Sequence, residues 1–103
     1  MFVVDEQIEE YAERFTSKET DLMERLRKET LQSRTDAQML VGPLEGAFLQ
    51  TLVNITQAKQ VLEIGTYTGY SALWMAAGLP EDGQLTTLDL DEETNKLLTN
   101  TVL

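Results

Sequence analysis

The sequence of 103 residues contains neither cysteine nor histidine. The absence of cysteine excludes a disulfide framework, a thiolate zinc site and a cysteine nucleophile. The absence of histidine excludes the Ser-His-Asp triad, and it removes the commonest metal ligand and the usual general base near neutral pH. Several large classes of enzyme are therefore excluded before any motif is considered.

Basic residues are scarce. The chain has 8 Lys and Arg against 18 Asp and Glu, which gives a net charge of −10. This charge argues against nucleic acid as a partner, because phosphate binding needs clustered Lys and Arg. Residues 60–95 contain no base, and such a segment suits a cationic ligand or a metal, although solubility explains most of its acids. Glu63 and Asp89 differ from the other acids because each ends an apolar run, where a charge needs a partner.

Long apolar runs are also missing. No run approaches the roughly 20 residues of a membrane span, and the first residues lack the basic n-region of a signal peptide. The composition, 42% hydrophobic and 25% charged, is that of an ordinary globular protein. We therefore predict a soluble, cytoplasmic protein that forms one domain over residues 1–103 and has no membrane partner.

The first half of the chain has helical periodicity, which predicts a helical lead-in over residues 1–58. The first helix is predicted over residues 5–15, with Tyr11 and Phe15 as packing residues. Thr16 and Glu19 have the spacing of a capping box, which places the start of a second helix near Ser17.

A third helix is predicted to begin at Pro43, because proline suits the first turn of a helix. Four apolar residues recur along it at helical spacing and are expected to face the core: Leu44, Phe48, Leu52 and Ile55.

The spacing of apolar residues changes in the second half of the chain. Residues 60–64 form a short apolar run that predicts a buried strand, residues 70–77 predict a helix, and residues 84–90 predict a second strand. Asp91 is placed to cap a further helix from Glu92. A strand, helix and strand in this order form a βαβ unit with parallel strands, here predicted over residues 60–103.

Ligands of βαβ units bind beyond the carboxyl ends of the strands, where Gly65 and Asp89 fall. Gly65 and Gly69 permit a tight turn and close approach of a ligand, and the start of the following helix attracts a carboxylate. Ser71 adds a hydroxyl there, Glu63 suits an ammonium group, and Asp89, 20 residues beyond Gly69, suits ribose hydroxyls. S-adenosylmethionine carries all three groups.

Two other interpretations remain open at this point. The turn lacks the G-x-G-x-x-G pattern of dinucleotide-binding proteins, because Tyr67 occupies the position of the middle glycine. A different kind of nucleotide-binding βαβ protein nevertheless remains an open interpretation. Alternatively, the glycines serve only the packing of the helix against the strand.

The run VLEIGTYTGYSALWMAAGLPEDGQLTTLDLDEE over residues 61–93 resembles the core of S-adenosylmethionine-dependent O-methyltransferases of the catechol and caffeoyl-coenzyme A type. Met39, Glu45, Gly46, Phe48 and Leu49 also resemble that family, so the likeness covers residues 35–94. The resemblance implies a Rossmann-like α/β fold, here truncated, and methyl transfer to a hydroxyl of a small, catechol-like acceptor. It also implies a divalent metal of the Mg type.

Carried over residue by residue, the resemblance implies a cofactor site made of Met39, Val41, Glu63, Gly65, Thr66, Tyr67, Gly69, Ser71 and Asp89. Trp74, Met75 and Leu73 lie on the body of the helix and are expected in the core. Members of the family are longer, and the matching part assigns no catalytic residue and no metal ligand.

The first strand of a doubly wound sheet is central, so residues 60–64 are expected to expose an open edge here. We therefore expect either a homo-oligomer formed through that edge or a piece of a longer protein. The alternative function is a catalytically incomplete, self-associating module.

Overall fold

A computed structural model describes residues 4–102 of the chain. The five α-helices and two strands of this part are α1 (Glu6–Arg14), α2 (Asp21–Ser33), α3 (Pro43–Thr56), β1 (Gln60–Ile64), α4 (Tyr70–Ala77), β2 (Gln84–Leu88) and α5 (Glu92–Val102), and a short 3-10 helix spans Ala37–Met39. None of these helices is long and apolar enough to cross a membrane. The outer limits of the predicted segments, at residues 1–3 and 103, lie outside the described residues.

The predicted βαβ unit is confirmed. β1 and β2 pair in parallel, from Gln60 opposite Gln84 to Ile64 opposite Leu88, and α4 connects them. β2 ends two residues earlier than predicted because the Asp89 carboxylate accepts the backbone N–H groups of Leu90 and Asp91 and turns the chain.

Asp91 caps α5 as predicted, since its Oδ1 accepts the backbone N–H of Glu93 at 2.9 Å. The predicted start of α2 at Ser17 is wrong. The hydroxyl of Thr20 accepts the N–H of Met23, so the helix begins at Asp21. Glu19 cannot complete a capping box because its carboxylate is bound by the side chains of Arg27 and Tyr70.

The core lies where α2, α3 and α4 meet. Trp74 and Tyr70 are 1% exposed, and Leu26 of α2 is fully buried beside them. Met75 is buried and Leu73 packs against the same cluster, so the prediction that the body of α4 belongs to the core is confirmed.

The predicted core face of α3 is wrong. Phe48, Leu52 and Ile55 are exposed, whereas Gly46, Ala47 and Val53 are buried. Small residues form the contact because α3 approaches α4 closely: a Cβ placed on Gly46 would lie 2.3 Å from the Trp74 ring.

The predicted packing of Tyr11 and Phe15 is also wrong. Their side chains are 64% and 71% exposed, and they contact each other with ring centroids 4.8 Å apart. α1 touches α3 only lightly, so its apolar face is left uncovered within the part of the chain that the structure describes.

β1 is not the buried strand that its composition predicts. Leu62 and Ile64 are 63% and 82% exposed, and Leu88 of β2 is exposed on the same face. Successive side chains of a strand point to opposite faces, and the other face of β1 carries the half-buried Val61 and Glu63, of which Glu63 is bound by Ser71 of α4. One apolar face of the sheet therefore stays open.

Candidate functional site

A cavity of about 380 Å³ lies at the carboxyl end of β1, within the range of roughly 300–1,000 Å³ typical of small-molecule sites. It brings together seven of the predicted site residues: Met39, Val41, Glu63, Gly65, Thr66, Tyr67 and Ser71. Apolar side chains that the sequence did not indicate complete its lining: Leu40, Leu49, Leu62, Ile64, Tyr70 and Met75.

The turn between β1 and α4 depends on backbone conformations that favour glycine. Gly65 and Gly69 have φ values of 99° and 91°, and Tyr67 between them has a φ of 50°. A Cβ on Gly65 would meet no described atom within 4 Å. Glycine is therefore required at this position by the positive φ, and not because a side chain would collide with a neighbour. The bare backbone leaves this side of the cavity open to a ligand.

Glu63 is held by hydroxyl groups on both carboxylate oxygens. Thr87 donates to Oε1 at 2.8 Å, and Ser71 donates to Oε2. The hydroxyls of Thr66 and Thr87 are 2.6 Å apart. Because the Thr87 proton is directed to Glu63, Thr66 is the donor between the two threonines, and a chain of hydroxyls fixes the carboxylate.

Asp89 lies at the end of β2 and outside the residues that line the cavity. Its Oδ2 accepts the backbone N–H of Tyr67 at 2.8 Å, and its Oδ1 accepts the N–H groups of Leu90 and Asp91. These backbone donors, that of Asp91 first, hold the pKa of the Asp89 carboxyl below its ordinary value. The side chain therefore stays ionised at neutral pH while it remains exposed.

Tyr67 connects the turn to the segment before α3. Its hydroxyl donates to Asp36 Oδ1 at 2.7 Å, and the Arg34 guanidinium binds both carboxylate oxygens of Asp36 at 3.0 and 2.9 Å. Arg34, followed by the Tyr67 hydroxyl, lowers the pKa of Asp36 to about 2. Burial raises the pKa of the Tyr67 hydroxyl, so this donor keeps its proton at neutral pH.

The start of α4 faces the same turn. Ser71 lies in its first turn, and no side chain of the described residues caps the helix. The free N–H groups and the positive end of the helix dipole therefore remain open to a carboxylate.

Gly69 lies on the opposite side of the turn from the cavity. A Cβ there would come within 2.5 Å of the Leu98 side chain of α5, so the position is crowded by packing. The structure therefore brings neither Gly69 nor Asp89 into the cavity lining, although both adjoin the same turn.

Sequence reasoning missed three polar residues of this region. Thr87 stands opposite Glu63 in the strand register, and that register is the signal that identifies it. Arg34 and Asp36 lie 31 or more positions before Tyr67, and no local pattern connects them to the turn.

Among residues 4–102, no group of three or more acidic side chains could hold a metal ion. The acids that follow β2 instead hold the backbone, as Asp89 and Asp91 do. The described residues therefore supply no cluster of that size for the expected divalent metal.

The family model described as "O-methyltransferase" matches residues 13–102. The catechol O-methyltransferase of Niastella koreensis is 53% identical over 51 residues, which are 50% of this chain and 23% of that protein. Caffeoyl-CoA O-methyltransferase 1 of Arabidopsis thaliana is 39% identical over 80 residues, which are 78% of this chain and 30% of that protein.

Solved structures show the same fold. The O-methyltransferase TomG of Streptomyces achromogenes, crystallised in complex with SAM, superimposes with a TM-score of 0.80 and 27% identity, over 93% of this chain and 43% of TomG. The chain thus spans under a third of these two curated relatives and under half of this structure.

Proposed function

The chain belongs to the O-methyltransferase family, and from that premise we propose that it forms the S-adenosylmethionine-binding half of a methyltransferase site. The cavity at the end of β1, with the fixed carboxylate of Glu63 beside the open start of α4, is the observation that carries the proposal. It offers an acceptor for an ammonium group and donors for a carboxylate within one turn.

Glu63 is proposed to bind the ammonium group of the methionine part. A carboxylate accepts about four hydrogen bonds, and the hydroxyls of Thr87 and Ser71 occupy two of these positions. The remaining lone pairs face a cavity in which no Lys or Arg is among the lining residues, so a cationic ligand would supply the missing charge.

The methionine carboxylate is proposed to lie at the start of α4. Ser71 has one hydroxyl proton and donates it to Glu63. When the ligand is bound, that proton would turn to the ligand carboxylate, and the ligand's ammonium group would take its place on Glu63.

Asp89 is proposed to accept the ribose hydroxyls. Its three backbone donors leave about one of its four acceptor positions free, so one ribose hydroxyl would bind there and the other would share an oxygen that already accepts a backbone N–H. The side walls of the site would then be Thr66 and Tyr67 of the turn and Met39 and Val41 of the preceding segment, with Gly65 and Gly69 shaping the turn.

The reaction proposed for the whole site is methyl transfer to a hydroxyl of a small, catechol-like acceptor, as the names of the relatives suggest. The acceptor oxygen would form a bond to the methyl carbon while the carbon–sulfur bond breaks and its electron pair stays on sulfur, and the proton of the acceptor hydroxyl would pass to a base. The described residues contain no group of three or more His, Cys, Asp or Glu side chains for the divalent metal of the family, so the proposal includes no step on it. The catalytic base is also not assigned.

The proposal extends to assembly and location. The second edge of β1, which has no partner strand in the described residues, supports a homo-oligomer formed through that edge, and a cysteine-free chain suits the cytoplasm. The net charge of −10 supports a small molecule rather than nucleic acid as the ligand. The second candidate, a self-associating module without turnover, is favoured by the lack of any group of three or more metal-ligating side chains in the described residues.

Titration calorimetry of the chain with S-adenosylmethionine, with the mass checked by light scattering, tests the proposal. Saturable binding that is lost in Glu63→Ala and Asp89→Ala, and kept in a control variant of the exposed Glu81, Glu81→Gln, would support it. A folded chain that does not bind the ligand would contradict it and favour the second candidate.

A further inference from the structure

We infer that Arg34, Asp36 and Tyr67 form a clasp that holds residues 37–41 as one wall of the cofactor cavity. The inference rests on the proposed function, because it gives that wall a role in binding S-adenosylmethionine. In this clasp Arg34 and Asp36 are positioning residues, since neither lines the cavity.

The clasp joins two segments that are far apart in sequence. Asp36 accepts the Tyr67 hydroxyl at 2.7 Å on the oxygen that also faces Arg34 Nε, and Arg34 binds the second oxygen through Nη2. The Arg34 guanidinium also lies 6.0 Å from the centre of the Tyr67 ring, at the edge of the range for a cation–π contact. Arg34 thus contacts both partners of the hydrogen bond.

The wall depends on this clasp for its polar attachment to the turn. Among residues 4–102, the Tyr67–Asp36 bond is the one hydrogen bond that joins residues 34–41 to the glycine turn. Within the wall, the short 3-10 helix starts directly after Asp36, whose carbonyl oxygen accepts the N–H of Met39. Fixing Asp36 therefore fixes the start of the segment that carries Met39 and Val41 into the cavity lining.

Tyr67 also belongs to the ribose side of the proposed site. Its backbone N–H is bound by Asp89, while its hydroxyl is bound by Asp36. Tyr67, whose backbone is in a left-handed conformation (φ 50°), is thereby held through both its backbone N–H and its side-chain hydroxyl. Releasing the hydroxyl would loosen the wall and remove one of the two holds on a strained turn.

The test compares Tyr67→Phe, Asp36→Ala and their double variant with wild type, and uses Tyr11→Phe as the control on an exposed tyrosine. Two quantities are measured: amide hydrogen exchange of residues 37–41 without ligand, and the Kd for S-adenosylhomocysteine. A hydrogen bond to a charged group is strong enough that we expect faster exchange and roughly tenfold weaker binding in each single variant. The double variant should bind the ligand no more weakly than either single variant, because both changes remove the same hydrogen bond.

The outcomes separate the clasp from the proposed function. Unchanged exchange in both variants would overturn the clasp, whatever happens to binding. Faster exchange with an unchanged Kd would overturn its role in the cofactor site. If wild type binds no ligand, the proposed function fails, and exchange alone decides whether Asp36 and Tyr67 hold the wall.

Discussion

The carboxylate of Asp89 accepts the backbone N–H of Tyr67 at 2.8 Å, across the carboxyl ends of the two strands. This bond spans the gap between β2 and the turn that follows β1, and it acts together with Gly65, whose N–H donates to the carbonyl oxygen of Leu88. Asp89 therefore shapes the site in addition to its proposed contact with ribose.

Replacement of Asp89 by asparagine should lower stability at pH 7. The carboxylate accepts three backbone N–H groups, whereas an amide turns its NH₂ toward at least one of them. Because the pKa of Asp89 is lowered in the folded state, the wild-type advantage is complete above the unfolded pKa of about 3.9 and is lost as the pH falls through the folded pKa. Urea unfolding of both proteins at pH 7 and near pH 3 measures this difference.

The matched control for Asp89→Asn is Glu81→Gln, which changes an exposed acid in the turn after α4. Its unfolding free energy should stay within about 0.5 kcal/mol of wild type. A difference between Asp89→Asn and wild type that does not shrink in acid would show that the carboxylate charge is not what holds the turn.

The βαβ unit and much of the cavity could be predicted from sequence because their signals are local. A short apolar run placed β1, a helical segment placed α4 and a run rich in Thr and Leu placed β2, and parallel strands bring their carboxyl ends to one edge of a sheet. Glu63 and Gly65 follow from that rule alone. The family resemblance added Met39 and Val41, which no periodicity connects to the turn.

The errors have a common physical cause. An apolar stripe, such as that of Tyr11 and Phe15 or of Phe48 and Ile55, indicates that a face is suited to a partner, but it does not say which element covers it. The close approach of α3 to α4 depends on Gly46 meeting Trp74, a contact between distant positions that no local pattern encodes.

Gly46→Ala should destabilise the fold although alanine is the better helix former. A Cβ at this position would lie 2.3 Å from the Trp74 ring, which is 1% exposed and cannot move freely. Overpacking of this kind typically costs about 1–3 kcal/mol, more than the roughly 0.5–1 kcal/mol that alanine gains over glycine in a helix. Urea unfolding followed by Trp74 fluorescence provides the measurement.

Gly42→Ala is the control for this substitution, because a Cβ there meets no described atom within 4 Å. Gly42 is also the N-cap of α3, where alanine is less favourable than glycine, so the unfolding midpoint of this variant should fall, but by less than that of Gly46→Ala. Equal midpoints for Gly46→Ala and Gly42→Ala would mean that α3 does not approach α4 as closely as the structure shows.

Leu62→Lys should reduce self-association if copies of the chain pair through β1. Leu62 is 63% exposed on the open face of the sheet, and lysine is a common defence against pairing of exposed strands. Light scattering should report a mass nearer to the monomer, whereas Phe48→Lys on the exposed side of α3 should leave the mass unchanged. An identical mass for Leu62→Lys and wild type would place the interface elsewhere.

Glu63→Gln should weaken the binding of only those ligands that carry the amino acid part of the cofactor. The Glu63 carboxylate, fixed by Thr87 and Ser71, is proposed to bind an ammonium group, and a hydrogen bond between charged groups is among the strongest in proteins. We expect S-adenosylhomocysteine to lose roughly tenfold or more in affinity, while 5′-methylthioadenosine, which lacks both ammonium and carboxylate, binds the variant as it binds wild type. Asp89→Ala should weaken the binding of both ligands, because both contain ribose. Equal losses of the two ligands in Glu63→Gln would show that Glu63 maintains the shape of the cavity rather than contacting the ammonium group.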